Sequence, residues 1–104
     1  MTDRRYYRVD YCGRTYEFVF DYTYSSSEGY RAYIVSAPSY GLRSESLHKT
    51  HRLTSGDKYY ICWSDKINTL DEMNAVVELW SKATVMYIVH GSTLDAHAAR
   101  LINA

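Results

Sequence analysis

The sequence predicts one α+β domain spanning residues 1–104, with a four-stranded antiparallel sheet, one long amphipathic helix and a short C-terminal helix. Its length of 104 residues is typical of a single domain. Apolar and polar residues alternate through much of the first half, which is the pattern of half-buried strands. Of the 12 tyrosines, 11 lie in the first 60 residues, and aromatic side chains favour strands. Apolar residues recur at helical spacing near the end of the chain.

The first two predicted strands cover residues 5–11 and 15–22. In the first strand Tyr7, Val9 and Tyr11 share one face. In the second, Tyr16, Phe18, Phe20 and Tyr22 share one face, with Glu17, Val19 and Asp21 on the other. Cys12 and Gly13 fall between the strands, where the glycine favours a tight turn. The two segments together are therefore predicted to form a hairpin.

A third strand is predicted over residues 30–36 and ends before Pro38, because proline cannot donate to a strand ladder. Residues 37–56 follow as a long irregular loop, interrupted at most by a short turn or strand near 50–53. Loops of this length in a compact domain usually serve a function. After a turn at residues 55–58, a fourth strand over 59–63 has few polar positions and is expected near the centre of the sheet.

The long helix is predicted to begin at Thr69, whose side chain can cap it together with Glu72, and to end at Gly91. Residues 83–89 are apolar on nearly all sides. This stretch is either buried on two sides or meets a partner chain, so a homodimer through the helix is one expectation. Ser92 is expected to cap a short second helix, whose inward side chains would be Ala98 and Leu101. Trp63 and Trp80 are expected to join helix and sheet in the core.

The formal net charge is zero, from 12 basic and 12 acidic residues. Proteins that bind nucleic acid non-specifically usually carry a basic excess, so the composition disfavours that class. No apolar stretch reaches the length of a membrane span. Met1–Arg5 leads into a strand pattern rather than a secretory signal. Cys12 and Cys62 are therefore expected to be free thiols in a cytoplasmic protein.

The histidines and cysteines allow two alternatives that involve chemistry. His48 and His51 are three residues apart and could bind zinc with Cys12 and Cys62, but zinc sites usually pair their cysteines closely in sequence. A thiol nucleophile beside His51 would lack the glycine-flanked motif of known families. A glycine-rich phosphate loop is also missing from the sequence. We therefore predict a protein without enzyme activity, resident metal or cofactor.

The basic and aromatic loop at residues 37–56 is the predicted binding surface. Its candidate binding residues are Tyr40, Arg43, His48, Lys49, His51 and Arg52. Arginine and lysine can bind phosphates or the carboxylates of a protein partner. A neighbouring tyrosine can stack on a base or pack against a protein side chain. A solvated basic loop without a ligand is the alternative interpretation of the same residues.

Four segments carry a resemblance to a group of known proteins. They are Pro38–Gly41 (PSYG), Thr50–Leu53 (THRL), Tyr59–Trp63 (YYICW) and the capped helix with Trp80. Over residues 30–90 the chain resembles small proteins of bacterial phages and mobile elements, a group that includes anti-CRISPR inhibitors. The resemblance implies a cytoplasmic protein of an infected bacterium that binds a host defence nuclease. Many such inhibitors are acidic mimics of nucleic acid, and this neutral chain departs from that pattern.

Two functional hypotheses follow. The first is an accessory protein that inhibits a host defence protein, such as a CRISPR nuclease, by protein–protein contact through the 37–56 loop and exposed tyrosines. The alternative is a small nucleic-acid or nucleotide-binding module that uses the same loop.

Overall fold

The computed structural model describes residues 3–103 as an antiparallel sheet with helices on one face. Along the chain the elements are β1 (Asp3–Tyr11), β2 (Arg14–Ser25), β3 (Gly29–Ser36), α1 (Leu47–Thr50), β4 (Arg52–Ser55), β5 (Lys58–Ile61), α2 (Leu70–His90) and α3 (Leu94–Ile102). The predicted α+β class is confirmed. The strand order in the sheet is β1-β2-β3-β5-β4, so β1 and β4 form its two edges.

The predicted hairpin forms between β1 and β2, and its register runs without a break from Asp3 opposite Tyr22 to Tyr11 opposite Arg14. Its two-residue turn places Cys12 and Gly13 at φ values of 51° and 77°. Positive φ at both turn residues matches the right-handed twist of the strands that they join.

The core lies between this hairpin and α2. Phe18 and Phe20 are fully buried, and the Trp80 ring meets both of them edge to face, with centroid distances of 5.9 and 6.0 Å. The indole Nε1–H of Trp80 donates a hydrogen bond to the Thr50 carbonyl at 3.0 Å. Burial of each large apolar side chain contributes about 1.5–3 kcal/mol, so this aromatic cluster fixes α2 on the sheet and ties the 37–56 loop to α2.

The sheet has five strands rather than the predicted four. The additional strand, β4, lies in the segment predicted as a loop, and pairs with β5 through the tight turn at Gly56 and Asp57. β4 has only four residues and lies among polar residues, so its sequence gives little strand signal. The last predicted strand, β5, is an inner strand between β3 and β4, but β3 is the central one. Trp63 lies beyond the end of β5 and is 43% exposed, so its predicted core role is wrong.

The start and end of α2 agree with the prediction. The Thr69 hydroxyl oxygen accepts a hydrogen bond from the Glu72 N–H, and Gly91 follows the last turn. In α3 the cap is Thr93 rather than Ser92, because the Thr93 hydroxyl oxygen accepts from the Ala96 N–H. The buried side chains of α3 are Leu94 and His97 rather than Ala98 and Leu101, which are half-buried.

The apolar second half of α2 is buried within the chain. Ala83 and Val85 are completely covered. The side of α2 away from the sheet meets α3 and the loop that precedes α1, where the Tyr87 hydroxyl donates to the Ser44 carbonyl at 2.9 Å. Of the two alternatives for this stretch, burial on two sides therefore holds for most of it, while Met86, Ile88 and Val89 are half-buried and a homodimer through the helix stays a prediction.

Candidate functional site

Tyr40, the aromatic candidate of the predicted binding loop, is buried. Only 5% of its surface is exposed, its ring packs edge to face on Tyr87, and the Arg52 guanidinium lies 5.2 Å from the ring centroid. Burial raises the pKa of the Tyr40 hydroxyl. The ring therefore serves packing and is not available to stack on a base.

Arg43 holds the loop to the end of α2. Its Nε–H donates to the Ile88 carbonyl and its Nη2 to the Val89 carbonyl, both at 3.2 Å. The last carbonyls of a helix lack partners inside the helix and carry partial negative charge, which a guanidinium satisfies. Gly91 leaves room for this contact, since a Cβ atom there would lie 3.0 Å from the Arg43 Nη1.

Arg52 is the second structural arginine of the loop. Its Nε–H donates to the Thr50 hydroxyl and its Nη2 to the Glu45 carbonyl, both at 2.8 Å. Its guanidinium also lies 4.5 Å from the ring centroid of Tyr59. These contacts use both the charge and the flat face of the arginine, and so they join α1, β4 and β5.

Four of the predicted binding residues meet at one cleft. Arg43, His48, Lys49 and His51 line a cleft of about 370 Å³ between the loop and the start of α3. His48 and Lys49 are exposed. His51 ends α1 at a φ of 52°, and its Nε2 lies 2.8 Å from a carboxylate oxygen of Asp95. The structure thus brings four of the six predicted binding residues together, two of them already engaged by the protein itself.

The residues of the thiol alternative also lie near one another. Cys62 and His51 line a second cleft of about 350 Å³ with Trp63 and Leu94. The hydrogen bond that joins Cys62 to His51 runs between their backbones, while Asp95 engages the His51 ring. Both cysteines are free thiols. Within residues 3–103, no group of three or more potential ligands is placed to hold a metal ion. That the chain is not an enzyme stays a prediction.

The face of the sheet opposite α2 carries some of the tyrosines that the sequence predicts as part of a contact surface, but none of the six candidate binding residues lies on it. We call it the open face; it carries Arg4, Tyr6, Arg8, Asp10, Glu17, Val19, Asp21, Thr23, Arg31, Tyr33, Val35, Leu53, Lys58 and Tyr60. Strand alternation assigns these residues to one side because their neighbours in sequence fill the core. None of the described helices covers this face, so its side chains meet solvent.

Aromatic and apolar groups form a continuous patch on the open face. The rings of Tyr33 and Tyr60 lie side by side with centroids 5.5 Å apart, and the Arg31 guanidinium lies 4.3 Å above Tyr60. The exposed fractions are 46% for Val35 and 41% for Leu53. Such a patch on a small protein commonly marks a contact surface.

A shallow groove crosses the open face. It measures about 830 Å³ and runs between the β2–β3 part of the sheet and the β4–β5 turn, where Tyr33, Val35, Asp57 and Lys58 line it. The groove exists because β3 and β5 pair over only two residue positions. The ladder is therefore open beyond that point, which leaves space for the groove beside the β4–β5 turn.

The charges of the open face are mostly paired. Arg4 binds Asp21 through two hydrogen bonds of 2.8 and 3.0 Å, and this contact holds the pKa of the Asp21 carboxyl below its ordinary value. Arg31 lies 3.1 Å from a carboxylate oxygen of Glu28. The face thus offers rings and apolar groups among charges that are mostly neutralised, although Lys58 at the groove takes part in none of the ion pairs within residues 3–103.

None of the helices within residues 3–103 has the length and apolar character needed to cross a lipid bilayer. The chain matches no protein-family model, no curated protein and no solved structure. The open face and the loop cleft must therefore be judged on their own geometry.

Proposed function

We propose that this chain is a protein-binding module whose contact surface is the open face of the sheet. The observation that carries the proposal is the patch in which the half-buried rings of Tyr33 and Tyr60 lie beside the exposed Val35 and Leu53. Protein interfaces are rich in tyrosine and arginine at their centre and poor in unpaired charge, which matches this patch. The groove beside it gives a partner side chain a place to insert.

The resemblance to phage and mobile-element proteins supports a narrower hypothesis about the partner. The chain would bind a bacterial defence protein such as a CRISPR nuclease and inhibit it by contact. A neutral face with paired charges favours a steric block over imitation of the nucleic-acid backbone. Addition of the chain to DNA cleavage assays with purified nucleases tests this hypothesis, and cleavage that continues unchanged across representative nuclease types contradicts it.

Nucleic-acid binding is the second candidate function, and one observation favours it. Tyr33, Tyr60 and Arg31 form an aromatic and guanidinium platform on a sheet surface, and such platforms stack unpaired bases in RNA-binding domains. The pairing of Arg4 with Asp21 and of Arg31 with Glu28 counts against it, because phosphate binding draws on free cations. We expect no salt-dependent binding to single-stranded oligonucleotides in fluorescence anisotropy.

Matched lysine substitutions test the proposed surface. Val35→Lys lies on the open face, while Leu42→Lys lies in the 37–56 loop, where Leu42 is fully exposed. With a partner identified by capture and then purified, we expect Val35→Lys to weaken binding by at least about tenfold, as at a well-packed interface centre. Leu42→Lys should leave the affinity within about twofold.

The opposite result, in which Leu42→Lys weakens binding and Val35→Lys does not, would contradict the proposal and indicate that the partner binds at the loop cleft. Circular dichroism of both variants checks that each retains the fold.

A further inference from the structure

The outer edge of β1 carries a row of backbone groups that the sheet does not use. Tyr11 and Arg14 flank the two-residue turn and therefore exchange backbone hydrogen bonds with each other. Along an antiparallel strand, every second residue directs its backbone groups to the same neighbouring strand. The N–H and C=O groups of the odd-numbered residues of β1 therefore point toward β2. The N–H and C=O groups of Arg4, Tyr6, Arg8 and Asp10 consequently point away from the sheet.

This edge has the length and regularity that strand pairing needs. β1 spans nine residues, and its pairing with β2 shows no bulge. Natural sheets usually protect such an edge with bulges, prolines, short strands or charged side chains. Of these devices β1 has only the charges, whereas the opposite edge strand, β4, has only four residues. The side chains of these β1 residues are highly exposed. Tyr6 is 76% exposed, and the side chains of Arg8 and Asp10 are 66% and 67% exposed.

The side chains of β1 are complementary to themselves in one antiparallel register. With Tyr7 opposite Tyr7 of a second copy, the nine residues overlap completely. Arg4, which pairs with Asp21 within its own chain, then also lies opposite Asp10 of the second copy, and Tyr6 lies opposite the Arg8 of that copy. Opposite charges and an aromatic–cation pair directly across two strands are both stabilising.

Neighbouring registers are less favourable. A shift that centres the pair on Tyr6 sets Arg4 opposite Arg8, and a shift that centres it on Arg8 sets two Arg8 side chains against each other. Like charges directly opposite destabilise a strand pair. A shift of the strand register by a single residue would turn the core-facing side chains of the second copy to the solvent side. The charges of β1 thus select one register rather than simply preventing pairing.

The helix side of the same axis is compatible with this arrangement. Tyr7 packs against the core below α2, and its hydroxyl is within electrostatic reach of Glu78 and Lys82 of that helix, which form a 2.9 Å ion pair. A two-fold axis at Tyr7 would bring two antiparallel copies of this acidic and basic pair toward each other. An acidic group of one copy can then meet a basic group of the other.

We propose that β1 pairs with β1 of a second copy of this chain, antiparallel and with Tyr7 on the two-fold axis. The product is a continuous ten-stranded sheet with both open faces on the same side. This dimer does not depend on the proposed function, because the patch around Tyr33, Tyr60 and Val35 lies on β3 and β5, away from the outer edge of β1.

The experiment measures mass in solution with two charge variants of the full chain. In sedimentation equilibrium, the natural chain should reach twice the mass of one chain as its concentration rises. Arg4→Asp alone sets two acidic residues opposite each other, and Asp10→Arg alone sets two arginines opposite each other. Each variant should raise the dimer Kd by about tenfold or more. Asp57→Arg, in the β4–β5 turn, should leave the Kd unchanged.

An equimolar mixture of the two variants decides the register. The acidic side chain introduced by Arg4→Asp in one chain then faces the basic side chain introduced by Asp10→Arg in the other. The unchanged Asp10 of the first chain faces the unchanged Arg4 of the second, so a mixed dimer should form with a Kd close to that of the natural chain. A natural chain that stays monomeric at every concentration overturns the proposal. So does a mixture that fails to form the mixed dimer while both variants keep the natural circular dichroism spectrum.

Discussion

The 37–56 loop and the open face of the sheet both place arginine against tyrosine, yet the two regions differ in what remains accessible. In the loop, Arg52 lies against Tyr40, which is 5% exposed. The guanidinium N–H groups of Arg52 donate to Thr50 and Glu45. On the open face, Arg31 lies over Tyr60 on a surface without a covering helix. The same residue types thus join parts of the fold in one place and remain available to a partner in the other.

Basic and aromatic composition therefore does not by itself identify a binding loop. A long loop in a small domain must be tied down, and the helix end that it crosses exposes carbonyls that need donors. Arginine meets that need, as Arg43 does for Ile88 and Val89. The backbone groups of a sheet are already paired with each other, so the aromatic side chains on its surface are not needed to hold the backbone in place.

The two tryptophans give the sharpest test of the contrast between covered and open regions. Trp80→Ala should lower the free energy of unfolding by about 3–5 kcal/mol, because it removes the ring that packs on Phe18 and Phe20. Trp63→Ala, at a site that is 43% exposed, should cost less than about 1 kcal/mol. Urea denaturation followed by circular dichroism measures both values.

Equal losses for the two variants would contradict the assignment of Trp80 alone to the core. Trp80→Phe refines the result, since it keeps a ring but removes the donor to the Thr50 carbonyl. Its loss should fall between those of the two alanine variants.

A second prediction separates the structural arginines from the exposed lysine of the same loop. Arg43→Ala should lower the free energy of unfolding by about 1–3 kcal/mol, because two carbonyls at the end of α2 lose a charged donor. Lys49→Ala, at an exposed position, should change it by less than about 0.5 kcal/mol. The same urea titration measures both, and an Arg43→Ala protein as stable as the natural chain would show that the loop cations are free for a ligand.

Much of the fold could be predicted because its signals are local. The alternation in residues 5–22 and the Cys12–Gly13 turn specify the first hairpin, and Thr69 and Gly91 mark the ends of α2. The β4 strand could not be predicted with the same ease. It has four residues, mostly polar, and it exists because β5 offers it a partner, which is a property of the assembled sheet.

The proposed contact surface was harder to predict for a related reason. The signal lies in apolar residues at positions that alternation assigns to solvent, such as Val19, Tyr33, Val35 and Leu53. Any one of them is ordinary on a protein surface. Only the strand register, which places β5 beside β3, brings Tyr60 against Tyr33 and makes the positions one patch.

The smallest expected effect concerns the paired charges of the open face. Arg4 holds the pKa of the Asp21 carboxyl below its ordinary value of 3.8. A carboxyl whose pKa is lower in the folded state adds stability above its unfolded pKa and loses that contribution as the pH falls through the folded value. Asp21→Asn should therefore be less stable than the natural chain at neutral pH, with a small difference because the pair is near the surface.

Below the folded pKa of Asp21 that difference should vanish, because both side chains are then uncharged. Carbon-detected NMR titration follows the Asp21 carboxyl directly. Arg4→Gln should raise its pKa toward 3.8, since the main cause of the shift is the hydrogen bond from Arg4, while Arg8→Gln on the same strand and face should leave it unchanged. An Asp21 pKa that does not respond to Arg4→Gln would mean that Arg4 is a free cation, and the open face would then suit nucleic acid better than a neutral protein surface.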